Sequence, residues 1–354
     1  MQHNIMAGMA GFYTILCVAS MGVILHLSVD KTITISEVVQ DEMQNEPRKH
    51  ETVNSEETEE YVLTFVQGKS DTSYLRVPLP KNCGAEDITI ENHYMDKELY
   101  IMVNGAEEEF YKENVISGNR DEVSRGVYEK TREGIRLNFM LTGIFECRTI
   151  LENNDLYIDF SSPRENYDRI VVIDPACGGE DTGVTVEGLS EKDINLGVAQ
   201  KLKEKLDKTD IKVYYTRMDD VNPNEDNRVE LANETKADMY IRLQVDSDES
   251  SSTYGTTTVY NGDYFIPGFG SVELADALER EVVTSIKGKA LGLCEAGTED
   301  YALRNVTVPA AAIKFGCITN KQEAILLGRE EYQEKIAEGI YQAILKIYEE
   351  KLLN

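Results

Sequence analysis

From Asp168 to the end of the chain, short apolar runs alternate with segments of helical period. The first run, Arg169-Ile-Val-Val-Ile-Asp174, is continuous, as expected of a strand buried on both faces of a sheet. Apolar residues then recur at helical spacing over 194–206. The alternation continues with a strand at Thr256–Tyr260, a helix near 272–287 and a last helix near 330–351. Strands that alternate with helices predict an α/β domain with a mostly parallel sheet, whose functional residues are expected at the carboxyl ends of the strands.

Residues 61–165, before this alternation, have the pattern of a small all-β domain. Runs of β-branched and aromatic residues, several alternating with period two, begin at Tyr61, Leu99, Ile135 and Leu156. Glycine and proline residues separate these runs as turns, and no long helical pattern interrupts them. The pattern therefore predicts a β-sandwich of about 100 residues.

The N-terminal part of the chain predicts a membrane anchor followed by a linker. Residues 5–29 contain no Asp, Glu, Lys or Arg, and this uncharged stretch is long enough for a helix that spans a bilayer. A cleaved signal peptide, the alternative, has a shorter apolar stretch with a positive charge before it. We therefore expect a single-pass cell-membrane protein with its C-terminal domains outside the cytoplasm. Residues 30–60 are acidic and poor in apolar residues, which predicts a solvated linker.

The charge and the histidine content exclude several kinds of site. The 354 residues include 36 basic and 64 acidic ones, so the formal net charge is −28. Such a chain repels phosphate backbones, and nucleic acid is not an expected partner. The four histidines are His3, His26, His50 and His93, so the α/β region contains none. A metal site in that region would have to be built without imidazole ligands.

A series of motifs in the α/β region carries a resemblance to a known family. Ala176-Cys-Gly-Gly179 follows the first strand, Glu191-Lys-Asp193 opens the first helix, and Arg242-Leu-Gln-Val-Asp246 ends the third strand. Other matching segments, in the same order, are Tyr215-Thr-Arg217, residues 227–233, Tyr301-Ala-Leu-Arg304 and residues 314–320. Residues 168–354 thereby resemble the zinc-dependent N-acetylmuramoyl-L-alanine amidases of cell-wall hydrolysis, the amidase-3 family. The β domain resembles, more weakly, the AMIN-type domains that often precede such amidases.

The resemblance implies a zinc site built from four positions. In the family, a GHGG turn and a strand that ends in SIHAN each supply a histidine ligand, and a helix-opening Glu supplies the third ligand. A late strand with the sequence EVGFISN supplies a catalytic Glu. Three protein ligands and an open position for water are what zinc-dependent hydrolysis requires.

This chain departs from the family pattern at three of the four positions. Glu191 is retained, but Cys177 and Gln244 stand at the histidine positions and Lys314 stands at that of the catalytic Glu. A cysteine thiolate still binds zinc, whereas an amide oxygen is a poor ligand and a lysine cation repels the metal. We therefore expect no intact catalytic residue, and no cofactor unless other ligands rescue the zinc site.

Two hypotheses concern the charged residues of this region. The first is that Glu191 and Lys314 form an ion pair where the metal lies in the family, because a buried carboxylate needs a positive partner. The second concerns Arg217, Arg228 and Arg304, which stand at family positions. They are predicted to form structural ion pairs, and the alternative is that they line the cleft and hold substrate carboxylates.

The favoured functional hypothesis is a membrane-anchored cell-wall protein with an amidase fold that is catalytically inactive, that is, a pseudoenzyme. It would act in peptidoglycan binding, in assembly, or in regulation of an active hydrolase. Two alternatives stay open: an active zinc amidase that cleaves the bond between muramic acid and the stem peptide, and a protein-interaction module that binds no glycan. The expected partners are peptidoglycan or a muropeptide, or a cell-wall protein, together with the membrane.

Overall fold

The described part of this computed structural model comprises two compact units. It covers residues 32–39, 60–67, 73–263 and 267–350. The first unit contains the described residues up to 161, apart from 38–39 and 93–96, and the second contains the remainder. The predicted anchor at residues 5–29 lies outside the described residues, as does most of the predicted linker. Within the described ranges, no helix has the length and apolar character needed to cross a membrane.

The first unit consists of two β-sheets with one core between them. Its strands are β1 (Ile35–Glu37), β2 (Glu60–Val62), β3 (Phe65–Gln67), β4 (Leu75–Pro78), β5 (Ile88–His93), β6 (Glu98–Asn104), β7 (Ile116–Gly118), β8 (Val123–Lys130), β9 (Gly134–Leu141), β10 (Glu146–Glu152) and β11 (Asp155–Ser161). The sheet orders are β1-β5-β6-β9-β8-β2 and β10-β11-β4-β7-β3. A 3-10 helix (Ala85–Asp87) and a short helix, α1 (Glu108–Glu113), complete the unit.

Alternating side chains explain the core of this unit. Leu99, Ile101 and Val103 of β6 are fully buried at every second position, and they share a core with Leu156 and Ile158 of the other sheet. This is the period of a strand with one face toward the core. Strand β1 falls inside the stretch predicted to be a linker. It joins the sheet beside β5, because Ile33 and Ile35 pack against the same core.

The second unit is built around a six-stranded sheet. Its strands are β12 (Ile170–Pro175), β13 (Thr185–Val186), β14 (Leu189–Ser190), β15 (Lys212–Tyr215), β16 (Met239–Asp246), β17 (Thr256–Tyr260), β18 (Ala290–Glu295) and β19 (Ala310–Cys317). Its helices are α2 (Pro163–Asn166), α3 (Glu191–Leu206), α4 (Glu225–Glu234), α5 (Ser271–Ile286), α6 (Tyr301–Asn305), α7 (Lys321–Leu327) and α8 (Glu330–Glu349). Strands β13 and β14 form a separate hairpin.

The large sheet has the order β15-β12-β16-β19-β17-β18. Neighbouring strands are parallel except for β17 and β19, which are antiparallel. The predicted α/β fold with a mostly parallel sheet is thus confirmed, and the sheet is a mixed one. The periodicity predicted β17 but not its direction, and it missed the edge strand β18.

Helices α3, α5 and α8 cover one face of the sheet. Every residue of β12 is buried, as its uninterrupted apolar sequence predicted. The helices contribute fully buried side chains at helical spacing, such as Val198 and Leu202 of α3, Leu278 of α5 and Ile340 of α8. An apolar stripe with this period is what a helix packed on a sheet requires.

Helices α5 and α8 approach each other at a glycine. A Cβ atom built on Gly339 would stand 2.5 Å from the Cα of Val282 and 3.0 Å from the carbonyl oxygen of Glu281. Both neighbours are backbone atoms, which no side-chain rotation moves away. The close approach of the two helices therefore depends on a residue without a side chain at this position.

We predict that Gly339→Ala lowers the free energy of unfolding by about 1–3 kcal/mol, the usual cost of overpacking. The loss is expected although alanine is the better helix former by about 1 kcal/mol. Gly197→Ala in α3 is the matched control, since the atom nearest its added Cβ is the end of the flexible Gln333 side chain. Urea denaturation measures both variants. Equal stability of the two would contradict the close packing of α5 and α8.

Candidate functional site

The four positions selected by the sequence meet at one edge of the large sheet. Strands β12, β16 and β19 are parallel neighbours, so their carboxyl ends share that edge. Cys177 lies two residues after β12, and Glu191 is the first residue of α3. Gln244 of β16 and Lys314 of β19 are register partners, so they lie side by side in the sheet. The fold thus brings together residues that are far apart along the chain.

Cys177 and Glu191 face the same small space. A Cβ atom built on Gly183 would stand 2.6 Å from Glu191 Oε2 and 2.8 Å from Cys177 Sγ. Burial raises the pKa of the Cys177 thiol to about 12, and the nearby carboxylates of Glu191 and Asp181 add to the effect. A thiol in these surroundings is held in its protonated form.

The glycine turn that carries Cys177 is held by specific contacts. A Cβ atom on Gly178 would stand 2.0 Å from the carbonyl oxygen of Val221, so only glycine fits there. The N–H of Gly179 donates to Asp220 Oδ1 at 2.9 Å, and its carbonyl accepts from Lys192 Nζ at 2.8 Å. Lys192 also pairs with Asp220, at 2.6 Å. These contacts fix the turn without a bound ligand.

Glu191 is satisfied by backbone donors. It is 7% exposed, and its two carboxylate oxygens accept hydrogen bonds from the N–H groups of Val184 and Val245, each at 3.3 Å. Lys314 Nζ pairs instead with Asp246 Oδ1, at 3.5 Å. The hypothesis of a Glu191–Lys314 ion pair is therefore wrong. Asp246 lies two residues beyond Gln244, the register partner of Lys314, and so on the same side of the sheet.

Gln244 carries a polar atom that the protein leaves unused. Its Oε1 is buried and has no hydrogen-bond partner among the residues that the structure describes. Leaving a buried acceptor unpaired costs about 1–3 kcal/mol. Within the ranges that the structure describes, no three His, Cys, Asp or Glu side chains form a cluster able to hold a metal ion.

Arg217 stabilises the loops around the site through hydrogen bonds to their backbone. It is fully buried, and within the described ranges its guanidinium donates to four backbone carbonyl groups. These belong to Pro175 at 2.9 Å, Ala176 at 3.0 Å, Lys192 at 2.9 Å and Asp219 at 3.0 Å. Burial lowers the pKa of Arg217 to about 10, and the neighbouring Arg228 adds to this. A side chain enclosed in this way has no surface to offer a substrate.

Asp174, at the end of β12, is the centre of a buried charge network. It is fully buried and accepts hydrogen bonds from Thr216, at 2.5 Å, and from Tyr240. It forms ion pairs with Arg228, which is also fully buried, and with Arg242, at 3.2 Å. Burial alone would raise the pKa of Asp174, but the two guanidinium groups outweigh it and hold that pKa at about 2.

The network continues toward the surface through Arg242. Its guanidinium binds both carboxylate oxygens of Glu225, at 2.8 and 2.9 Å. The sequence analysis did not single out Asp174, Arg242 or Glu225. One signal was present, namely an arginine within the apolar run Met239-Tyr-Ile-Arg-Leu243, which requires a counter-charge.

Arg304 lies apart from this network. Its side chain is 37% exposed, and it pairs with Asp263 through Nε at 2.8 Å and Nη2 at 3.4 Å. The three arginines chosen from the sequence thus have different surroundings. Arg217 and Arg228 are enclosed, and Arg304 lies at the surface.

Comparison with known proteins gives matches over the second unit. Residues 171–346 match the family profile described as N-acetylmuramoyl-L-alanine amidase (amidase 3). The germination-specific N-acetylmuramoyl-L-alanine amidase of Bacillus subtilis is 32% identical over an alignment of 234 positions, and the match covers 61% of this chain and 95% of that protein. The uncharacterized protein YqiI of the same organism is 34% identical over 182 residues, 51% of this chain and 86% of the relative.

Solved structures give a similar result. The N-acetylmuramoyl-L-alanine amidase from Clostridium difficile 630 is 33% identical, with a TM-score of 0.48. The match covers 52% of this chain and 98% of that one.

We predict that Asp174→Asn lowers the free energy of unfolding at neutral pH by about 3–5 kcal/mol, because it removes the buried carboxylate that faces Arg228 and Arg242 and leaves them only the partly exposed Glu225 as a counter-charge. Asp210→Asn is the matched control. Its carboxylate pairs with Arg169 at 3.1 Å on the surface, and such pairs contribute about 1 kcal/mol or less. Urea denaturation at pH 7 compares the variants. A cost for Asp174→Asn as small as that of the control would disprove the buried network.

The low pKa of Asp174 predicts a pH dependence of stability. The pKa is about 2 in the folded protein against an ordinary value of 3.8, so the stabilisation is complete above about pH 4 and is lost as the pH falls toward 2. The stability difference between the natural chain and Asp174→Asn should therefore shrink by about 1 kcal/mol between pH 6 and pH 3, out of a total of about 2 kcal/mol that is lost at still lower pH. Urea denaturation at pH 6, 4 and 3 measures it. A difference that does not change with pH would contradict this assignment.

Proposed function

The chain belongs to the N-acetylmuramoyl-L-alanine amidase family, and from this premise we propose that it is a cell-wall protein that binds peptidoglycan without hydrolysing it. The main support for this proposal comes from the carboxyl ends of β16 and β19. There Lys314 is ion-paired with Asp246 and lies beside Gln244. In the family these two positions hold a catalytic carboxylate and an imidazole ligand. Here they hold an ammonium group and an amide.

The donor set does not fit a zinc ion. A hydrolytic zinc site needs three nitrogen, sulfur or carboxylate donors and one open position for water. Of the four side chains, only the Glu191 carboxylate is a good ligand as it stands. Burial raises the pKa of the Cys177 thiol to about 12, so zinc would have to displace its proton in order to bind it. The Gln244 amide is neutral, and the Lys314 ammonium repels a dication.

The general base is replaced as well. Hydrolysis of an amide requires a group that accepts the proton of the attacking water. The Lys314 ammonium donates to Asp246 and has no lone pair to offer. The carboxylate of Asp246 is itself engaged in that pair. We therefore derive no hydrolytic step for this site, and the proposed role is binding.

The proposal also concerns residues 5–29 and the first unit. We propose that residues 5–29 anchor the protein in the cell membrane, with the two units outside the cytoplasm. We further propose that the first unit acts as an AMIN-like domain beside the wall. The uncharged stretch of the N-terminal sequence supports the first point, and the strand pattern of residues 61–165 supports the second.

The test compares the natural chain with a variant in which the family residues are restored. The natural full-length protein, loaded with zinc and dialysed, should retain well under one zinc per chain and release no new alanine amino termini from purified peptidoglycan. The variant Cys177→His/Gln244→His/Lys314→Glu should retain about one zinc per chain, because its two restored histidines complete a set of three ligands with the retained Glu191. Elemental analysis and amino-terminal labelling are the measurements.

Two outcomes would replace the proposal with an alternative. Zinc retained by the natural chain and lost in Cys177→Ser, together with cleavage of peptidoglycan, would establish an active amidase that uses Cys177 and Glu191. Failure of the natural chain to co-sediment with insoluble peptidoglycan would remove the binding role and favour the protein-interaction module. Co-sedimentation without cleavage is the expected result.

A further inference from the structure

The outer side of β18 is an open edge of the large sheet. β18 (Ala290–Glu295) is the last strand in the order of that sheet, and among the described strands it pairs only with β17. Four of its six residues are exposed, and Leu291 is 41% exposed. An edge strand carries backbone N–H and C=O groups that its own sheet does not use. The side of β18 that faces away from β17 is therefore able to pair with a strand of another chain.

The hydrogen bonds to β17 show which backbone groups face outward. The N–H of Ala296, directly after β18, donates to the carbonyl oxygen of Tyr260 at 2.9 Å. In a parallel ladder, alternate residues of a strand direct their backbone groups to the same neighbour. Leu293 and Glu295 therefore direct their N–H and C=O groups to the open side. The register with β17 is regular from Gly292 to Glu295.

β18 has little of the protection that sheet edges usually have. Lysine or proline within an edge strand, or a β-bulge, normally prevents pairing with a second chain. The strand has the sequence Ala-Leu-Gly-Leu-Cys-Glu, with neither lysine nor proline. An irregularity in the pairing with β17 lies before Gly292 and leaves the regular half of the strand open. The open edge is thus short, and a stable contact needs support from residues beside it.

The residues at the two ends of β18 carry opposite charges. Lys287 and Lys289 come directly before the strand, and Glu295 and Glu299 lie at its end and just beyond it. All four side chains are exposed. Within the part of the chain that the structure describes, none of the four forms an ion pair. Basic and acidic side chains are therefore available at opposite ends of one open strand.

We propose that β18 pairs with β18 of a second copy of this chain in an antiparallel, two-fold symmetric dimer. A two-fold axis places the same surface of both copies against each other. With Cys294 opposite its counterpart, Leu293 and Glu295 exchange backbone hydrogen bonds with the partner's Glu295 and the partner's Leu293. Lys289 and Glu299 lie equally far before and after Cys294 in the sequence, so each lysine comes near the partner's Glu299. The large sheets of the two copies then form one continuous sheet.

The order of the charges selects a second copy as the partner. An antiparallel copy reverses that order, so a basic end meets an acidic end on both sides of the two-fold axis. Opposite charges across a strand pair stabilise the pair, and like charges destabilise it. An unrelated strand would match these charges only if it had the same order. The net charge of −28 per chain repels two copies at a distance, so the contact depends on these local pairs.

Exchange of the end charges tests the proposal. Lys287→Glu/Lys289→Glu makes both ends of β18 acidic, and Glu295→Lys/Glu299→Lys makes both ends basic. Each variant alone should dimerise about tenfold more weakly than the natural chain, because like charges then face each other. An equimolar mixture of the two variants should form a mixed dimer about as tightly as the natural chain does, since every pair is again opposite in charge. Sedimentation equilibrium of the full-length protein in neutral detergent at about 0.15 M salt measures the dissociation constants.

A control and a backbone variant separate the local contact from other effects. Lys208→Glu/Lys321→Glu changes the net charge by the same amount at two exposed lysines outside β18, and it should dimerise within about threefold of the natural chain. Glu295→Pro removes an N–H that β17 does not use. It should weaken the dimer about tenfold more than Glu295→Ala, which removes the same charge and keeps the N–H. Thermal unfolding of every variant verifies that it is folded.

Cys294 gives a separate measure of the register. Its side chain is exposed, and residues directly opposite each other in an antiparallel pair have their Cβ atoms about 4.5–5.5 Å apart. A short bismaleimide should therefore link two natural chains through this residue. Cys294→Ser should lose the link, which denaturing electrophoresis detects.

Three results would overturn the inference. A monomeric natural chain would leave the edge to a strand of another protein. A dimer that the end-charge variants and Glu295→Pro leave unchanged would place the interface elsewhere in the chain. Failure of the mixed variants to regain affinity would refute the antiparallel arrangement of two copies.

Discussion

A single buried carboxylate holds together the elements from which the candidate site is built. Asp174 ends β12 and receives the hydroxyl of Thr216 beside β15, the side chains of Tyr240 and Arg242 from β16, and the guanidinium of Arg228 from α4. Enclosing a charge without partners would cost several kcal/mol, and removing one partner of a buried pair costs nearly as much. Because the partners come from three parts of the unit, the network ties their positions to that of β12. The carboxyl ends of the strands then have one arrangement, so Asp246 at the end of β16 and the loop that carries Cys177 have fixed positions.

The contacts that hold the loops of the site in place are thus independent of the side chains at the positions of Cys177, Gln244 and Lys314. Arg217 and the Lys192–Asp220 pair hold the glycine turn through backbone groups, and two backbone N–H groups hold Glu191. None of these contacts needs a metal ion. The side chains at the positions of Cys177, Gln244 and Lys314 are therefore free to differ from those of hydrolytic relatives while the fold persists. Membership of the family describes the fold and these holding contacts. The reaction depends on the residues that occupy the catalytic and ligand positions.

Strong periodicity allowed much of the second unit to be predicted. Thr256–Tyr260 is a strand with the predicted bounds, and the helices near 272–287 and 330–351 were placed within about two residues. The failures have local causes. Strand β18 contains Gly292 in a short, half-exposed run, which weakens its pattern. Strand β1 lies in an acidic stretch, where only the isoleucines at 33 and 35 indicated a buried face. The antiparallel direction of β17 depends on its partner β19, and a single strand has no signal for that.

The sequence by itself determined which residue types occupy the family positions and that the α/β region contains no histidine, because residue identity and local period can be read along the chain. Only the tertiary structure decided which charges meet. Lys314 pairs with Asp246, Glu191 takes backbone donors, and Arg242 reaches back to Asp174. Ion pairs form over a few ångströms, so they depend on which strands lie side by side and in what register. That arrangement results from packing the whole sheet against its helices.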